Sequence, residues 1–400
     1  MSVAARRLIV VGAGPMGLEA ALCALERGFE VTVLEKGRVG DALRRWGPTR
    51  FFTPLGMNLS ARAKKALGAA LPPEDAILSG PEMAEKVLEP LARLPVLAGR
   101  IRTGHRVMAI GRARLGRTDY PNHPVRHERV FRLLVEGPEG EVTLEAEVVL
   151  DASGFFGGPL AMGAGGLPAR GESKCADRIL RDLGALHRAM PELGGRRVLL
   201  VGHGHSAANA LSALATLATD APKTRVIHAV RSLNTRPFVE VPADPLPERR
   251  AIVDRANDLL AKPPAWLTVV RNAHVEEIRP AEKGMAEGTA EGTGDAVAVS
   301  LTKDRRVVVD RVIALTGFRP DLSILRELAV ETSAVTEGAG RLYAAISNVT
   351  DCLTVPKVTP ADLASGEPGF HLVGQKSYGR ARTFLLQTGL AQLETVIANL

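Results

Sequence analysis

The stretch from Arg7 to Gly17, read together with Glu35, leaves this chain few folds to choose from. Four apolar residues, Leu8 to Val11, break at Gly12 and continue as Gly12-Ala13-Gly14-Pro15-Met16-Gly17. A helix-forming segment, Leu18 to Arg27, follows, then a second apolar run, Val31 to Leu34, that stops at Glu35. Strand, glycine turn, helix and a second strand ending in an acid form the fingerprint of a dinucleotide-binding βαβ unit. Gly12 supplies the tight turn, Gly14 lets a pyrophosphate approach the backbone, and Gly17 lets helix and strand pack closely. The helix start, with Pro15 and Met16 in its first turn, faces the phosphate charge. Glu35 lies 23 residues past Gly12, where a carboxylate accepts the hydroxyls of a ribose, and Lys36 follows it.

The same plan returns 190 residues later. Arg197 to Val201 reads as a strand that breaks into Gly202-His203-Gly204-His205-Ser206-Ala207. An alanine-rich helix, Ala208 to Leu217, and a strand, Arg225 to Val230, come next. Before it, the spacing of Leu88, Leu91 and Leu94 predicts a helix over Met83 to Leu94. Strands are predicted at Val107 to Ile110, Val130 to Val135 and Val142 to Leu144, with a turn at Gly137 to Gly140. Val148 to Leu150 then runs into Asp151-Ala152-Ser153-Gly154-Phe155. In the second copy, strands at Leu267 to Val270 and Ala296 to Leu301 flank Ala281 to Asp295, a Gly/Glu/Ala-rich segment read as a flexible hairpin tip. That copy closes with Leu315-Thr316-Gly317-Phe318-Arg319-Pro320-Asp321. The expected fold class is α/β, with two Rossmann-like domains that each carry a small antiparallel β insertion.

The two turns differ in ways that assign their ligands. The second has Ala207 as its third small residue, and its second strand ends in Arg231 rather than an acid, with Arg236 close behind. An arginine there can bind a 2′-phosphate through two hydrogen bonds, whereas a carboxylate would repel it. The first site is therefore read as the FAD site and the second as the NADPH site, with NADH the alternative. His203 and His205 are expected to work through their backbone amides. The connection after Glu35 carries Arg44 and Trp46 and is placed to fold over the first cofactor.

Composition narrows the classes further. Hydrophobic residues make up 46% of 400, enough for two ordinary cores. No run of about eighteen apolar residues is present and the N-terminal apolar run is too short for a secretory signal, so a cytoplasmic protein without a membrane span is expected. A net charge of +7 suits an anionic ligand, but scattered Lys and Arg with only 4% aromatics argue against nucleic acid. Cys23, Cys175 and Cys352 lie far apart, so no disulfide framework, redox dithiol or metal site is expected. The expected partner is a small-molecule substrate, and a homodimer is compatible with the sequence.

These residues resemble the flavoproteins with two dinucleotide-binding domains, meaning flavin-containing monooxygenases and pyridine-nucleotide oxidoreductases. Gly12, Gly14, Gly17 and Glu35 match the FAD fingerprint, and Gly202, Gly204, Ser206 and Ala207 match the Gly-x-Gly-x-Ser-Ala turn of the monooxygenase branch. Asp151 to Gly154 and Leu315 to Asp321, with Thr316 and Gly317, are similar to the two crossings between domains. The resemblance implies an NADPH domain, residues 161–314, inserted between the parts of an FAD domain, 1–160 and 315–400. It also implies that Gly374, Gln375, Arg382 and Thr383 complete the flavin site, ahead of a terminal helix, Phe384 to Leu400. Relatives often carry Asp where Gln375 stands. The Phe-x-Gly-x-x-x-His motif of the monooxygenases is incomplete, since Phe155 and Gly157 have no matching histidine. Asn58 and Lys376 are the candidates to act at the flavin. The implied activity is hydride transfer from NADPH to FAD followed by oxygenation with O2. A reductase is the alternative, and a non-catalytic flavin-binding sensor the third reading.

Overall fold

A computed structural model of the protein describes residues 5–121, 123–282 and 296–400. The hairpin tip expected over Ala281 to Asp295 falls almost wholly outside the described residues. The chain forms two compact units, one of residues 1–44, 53–158 and 318–400, the other of 45–52 and 159–317.

In the first unit, β1 (Arg7–Val11), β2 (Glu30–Glu35) and β3 (Ile101–Thr103) are parallel. β4 (Arg106–Arg112), β5 (Phe131–Gly137) and β6 (Gly140–Ala146) form a separate antiparallel sheet, and β7 (Val148–Asp151) returns to the parallel one. In the second unit come β8 (Ile179–Leu180), β9 (Arg197–Val201), β10 (Arg225–Val230) and β11 (Leu267–Arg271). β12 (Val275–Pro280), β13 (Val297–Leu301) and β14 (Arg305–Val309) make its antiparallel sheet, and β15 (Arg311–Ala314) closes the unit. The chain then returns to the first unit as β16 (Phe370–Leu372). The parallel sheets run β16-β7-β1-β2-β3 and β11-β10-β9-β15-β8. In each, the strand order reverses beside the first strand, between β1 and β7 and between β9 and β15. An open parallel sheet leaves its ligand crevice outside the carboxyl ends of such a pair.

The parallel strands are buried on both faces, which is why they read as continuous apolar runs; Leu8, Val10, Val198 and Leu200 have no solvent exposure. β5 instead alternates, with Phe131, Leu133 and Val135 buried and Arg132, Leu134 and Glu136 exposed. Strands β3, β8, β12 and β14 are not apparent in the sequence because they are short or strongly charged.

The predicted Met83–Leu94 helix begins earlier and is not regular. Ser79 caps it, accepting from the Glu82 amide while the Glu82 carboxylate accepts from the Ser79 amide. Gly80–Met83 and Glu89–Ala92 are α-helical, but Ala84–Leu88 is a π-turn. Pro90 has no N–H to return to the Lys86 carbonyl and its ring crowds that group, so the preceding turn widens. The terminal helix spans Leu386–Ala398. No helix among the described residues is long and apolar enough to cross a membrane.

One buried charged cluster ties the antiparallel sheet of the first unit to the returning chain. Glu367 accepts from Arg112 Nε (2.9 Å), Arg126 Nη2 (3.1 Å) and the Ala329 amide (2.8 Å), and its side chain has no exposure. The Arg112 guanidinium also lies 3.7 Å from the Phe131 ring centre. Burial by itself would raise the Glu367 carboxyl, but the Ala329 amide and the two guanidinia hold it below the ordinary range. Replacing Glu367 by Ala leaves both guanidinia buried without their counter-ion. Equilibrium urea unfolding should show a loss of about 3–5 kcal/mol; a loss below about 1 kcal/mol, as for an exposed pair, would show that the cluster does not hold the sheet.

Candidate functional site

The first turn is shaped by what surrounds its glycines. Gly12 has φ +101°, donates to the Leu34 carbonyl at 2.7 Å, and lies so close to Ala152 that a Cβ would sit 2.8 Å from its carbonyl oxygen. A Cβ on Gly17 would lie 1.9 Å from the Gly12 carbonyl oxygen. At Gly14, the residue before the helix Pro15–Glu26, a Cβ would meet nothing within 4 Å. The closed positions pack helix on strand, and the open one faces the crevice, where a phosphate group can approach the helix start.

Glu35, 9% exposed, accepts from the Ala13 and Gly37 amides, both at 2.8 Å. Each oxygen keeps a second lone pair, so the carboxylate that shapes the turn also has capacity for ribose hydroxyls. Lys36 is exposed beside it.

At the carboxyl ends of β1, β7 and β16 the structure assembles a group that the sequence reading missed. Lys376 Nζ donates to Asp151 Oδ2 (2.7 Å) and Ser153 Oγ (3.0 Å), and Ser153 Oγ donates to Asp151 Oδ1 (2.6 Å). Lys376 is 1% exposed and Asp151 fully buried, while Ser153 is exposed. Lys376, a candidate to act at the flavin, is a core residue whose ammonium is committed to Asp151. The signal that could have found the pair was the acid that ends the apolar run of β7. Asp321 lies near the same lysine: its carboxyl is held low first by Ser323, with Lys376 and Lys36 also contributing.

The return of the chain closes around the first helix. Gly374 has φ +66°, and a Cβ there would lie 2.6 Å from Met16 Cγ; a Cβ on Gly389 of the terminal helix would lie 3.2 Å from Met16 Sδ. Met16 is thus wedged between two glycines, a packing role beside its place at the helix start. Gln375 is half-buried, Arg382 exposed, Thr383 buried, and Gly154, with φ +71°, has open space at its side-chain position.

Three residues read as cofactor or catalytic contacts have partners within the protein. Arg44 is held by the Val39 carbonyl, Glu85 and Glu89. Trp46 belongs to the second unit, where its ring packs 5.0 Å from Phe51. Asn58 is 4% exposed and ends a 3-10 turn; its Oδ1 accepts from Thr53 Oγ1 (2.8 Å) and its Nδ2 donates to the Thr53 carbonyl (3.2 Å).

The second turn repeats the first with changed parts. Gly202 has φ +120°, and a Cβ there would lie 2.4 Å from the Leu315 carbonyl oxygen. Gly204, before the helix His205–Asp220, is as open as Gly14. Ser206 is half-buried and Ala207 is buried under the turn. The His205 ring is exposed and meets Phe52 edge-on at 5.2 Å. Arg231 is exposed past β10, whereas Arg236 pairs with Glu240 (2.8 Å) and Asp258 (2.6 Å). Thr316 Oγ1 donates to the Leu160 carbonyl at 2.6 Å, and Gly317 follows with φ +101°. Under the turn, His228 is fully buried with Nε2 2.6 Å from the Gly202 carbonyl oxygen. Among the described residues no group of three His, Cys, Asp or Glu side chains is placed to hold a metal ion.

With this geometry in view, the comparisons place the fold. A family model described as pyridine nucleotide-disulphide oxidoreductase matches residues 9–79, the part containing the first turn. Solved structures match along nearly the whole chain. A bacillithiol disulfide reductase from Bacillus cereus is 17% identical with a TM-score of 0.69, over 98% of each chain. An ornithine N-hydroxylase from Kutzneria sp. 744 is 16% identical with a TM-score of 0.62, over 99% of this chain and 98% of that one. The FAD-bound cadaverine monooxygenase of desferrioxamine biosynthesis from Erwinia amylovora is 12% identical with a TM-score of 0.64, over 99% and 94%. No curated protein matched the sequence. The chain has the two-domain Rossmann-type fold of the pyridine-nucleotide oxidoreductases and resembles both their monooxygenases and their reductases.

Burial lowers the His228 imidazole to about 4 from 6.5; the Gly202 carbonyl opposes this, while His203 and Arg271 add to it. The unfolded chain takes up a proton below pH 6.5 that the folded chain refuses until about pH 4, so stability falls as pH falls through that window. The loss from this group should approach roughly 3 kcal/mol. Urea unfolding across the window should show the slope, and His228→Gln should remove it; an unchanged slope in that variant would assign it to other groups.

Proposed function

We propose that the protein is an FAD-dependent oxidoreductase that draws electrons from NADPH and oxygenates a small molecule with O2. The observation that carries the reading is the pair of glycine turns, each open at its middle glycine, one followed by an acid and the other by an arginine. Gly14, Gly154 and Gly204 have nothing within 4 Å of a would-be side chain, which is the cradle a bound pyrophosphate needs.

FAD belongs with the first unit, held by Gly12 to Gly17 and Glu35 and completed by residues 374–383. NADPH belongs with the second, held by Gly202 to Ala207 and Arg231. When bound, the cofactors supply hydride transfer and the reduction of O2. The chain supplies placement. The helix start at Pro15 takes the FAD pyrophosphate, Glu35 accepts from its ribose, and Arg231 takes the 2′-phosphate of NADPH. Lys376, paired with Asp151, stands under the β1/β7 crevice and is the candidate to set the charge around the flavin. Asn58, braced by Thr53, is the other candidate at its reactive edge.

Oxygenation is favoured over thiol chemistry by the state of the cysteines. Cys23 Sγ donates to the Glu394 carboxylate at 3.2 Å, and burial together with that bond pushes its thiol up to about 12. Burial also raises Cys175. Thiols held this way are poor nucleophiles. The second reading, a reductase passing electrons to another organic acceptor, is favoured by the incomplete histidine motif after Phe155.

Anaerobic NADPH should bleach the absorbance of the FAD-loaded protein, and admitting O2 with substrate should consume NADPH in step with hydroxylated product. Hydrogen peroxide in step with NADPH for every substrate tried would leave the reductase reading in place. Arg231→Ala should raise KM for NADPH about tenfold or more through lost charge-assisted bonds and leave NADH little changed. Equal effects on both nucleotides would remove Arg231 from the 2′-phosphate.

A further inference from the structure

The buried histidine under the second turn does a job that packing does not require. His228 faces Leu200 across the β9–β10 pairing, as Val33 faces Val10 across β1–β2, and both Leu200 and Val10 stand two residues before the first glycine of their turn. Val33 fills the equivalent place in the first unit without a polar atom. A fully buried imidazole costs free energy unless its hydrogen bond is needed.

The need is visible at the glycine carbonyls. In the first turn the Gly12 carbonyl points at the helix and fits only because Gly17 has no Cβ, which would sit at 1.9 Å. In the second turn the corresponding residue is Ala207, whose Cβ closes that space. The Gly202 carbonyl meets His228 Nε2 at 2.6 Å instead. A carbonyl only accepts, so Nε2 carries the proton, and Nδ1 has no partner. On the other side, Gly202 lies against the Leu315 carbonyl. The turn is gripped from both sides.

We propose that His228 is a positioning residue for the nicotinamide nucleotide, paired with Ala207 as the second unit's substitute for the Gly17–Val33 combination of the first. The mechanism follows from peptide geometry. The 202–203 peptide is trans, as are all those described, so its C=O and N–H point opposite ways. Drawing the Gly202 carbonyl down onto His228 fixes the plane of the 202–203 peptide, and with it the path of the turn into Gly204, whose side-chain position is open to a pyrophosphate. His228 touches neither cofactor nor substrate and acts through that one peptide.

This inference rests on the reading of the second turn as the NADPH site, and the test separates the two. FAD-loaded wild type, His228→Val and His228→Gln are compared with NADPH and with N-benzyl-1,4-dihydronicotinamide, a hydride donor without phosphates. His228→Val should raise KM for NADPH about tenfold, the worth of one hydrogen bond, with kcat changed less than twofold. With NADPH well below KM, the ratio of the NADPH rate to the phosphate-free rate should fall by the same factor. His228→Gln, which can place an amide N–H near the Nε2 position, should recover most of the loss. Two results would overturn the role: unchanged KM in His228→Val, or equal losses with both donors, which mark general damage to the fold. A wild type that retains FAD but binds neither NADPH nor NADH would overturn the nucleotide reading of the turn, and the role with it.

Discussion

The first unit depends on a buried ion pair between residues 225 positions apart, Lys376 and Asp151. Two charges removed from water are tolerated only when each finds its partner in good geometry, and here Ser153 satisfies both. The pair fixes where β7 stops and holds the Ala152–Ser153 backbone against Gly12, so the floor of the crevice and the glycine turn are set together. The parallel bridge from Val373 to Asp151, 3.0 Å from amide to carbonyl, aligns the returning strand on the same point. Glu367, gripped by Arg112 and Arg126, anchors that return a few residues earlier. The site is thus complete only after the chain has come back from the second unit.

The two glycine turns solve one problem with different parts. Each must bend sharply out of a strand, leave a helix start open to phosphate, and dispose of the first glycine's carbonyl. The first turn does this by deletion, with no Cβ at Gly17 and an apolar Val33 below. The second does it by addition, with Ala207 on the helix and His228 as donor. Their outer partners differ in the same spirit: Glu35 closes back on the Ala13 and Gly37 amides, whereas Arg231 is exposed beyond β10. The two turns therefore end their second strands in opposite charges.

This fold hosts disulfide reduction and hydroxylation alike, so chemistry has to be argued from side chains rather than from architecture. Cys23 and Cys175 are buried and Cys352 is half-buried, Cys23 being held by Glu394 as part of the Arg62 network that joins the first helix to the terminal one. Near the β1/β7 crevice Lys376 is paired with Asp151, and Lys376 and Lys36 both help hold the Asp321 carboxyl low.

The sequence by itself determined the fold class and both turns, because those depend on local rules: apolar runs with period-free burial, glycines at fixed spacing, and the acid or arginine ending the second strand. Arg197–Val201 and Arg225–Val230 are legible to the residue for that reason. What only the tertiary structure decided were the long-range polar pairings. The commitment of Arg44 to Glu85 and Glu89 and of Asn58 to Thr53 gave no sequence signal, and that of Lys376 to Asp151 left only the acid ending the β7 run, since a charge or amide in a loop reads the same whether it faces solvent, a cofactor or a buried partner. His228 is the sharpest case. In the sequence it interrupts the apolar run of β10, and only the position of the Gly202 carbonyl, 2.6 Å from its Nε2, gives the interruption a physical reason.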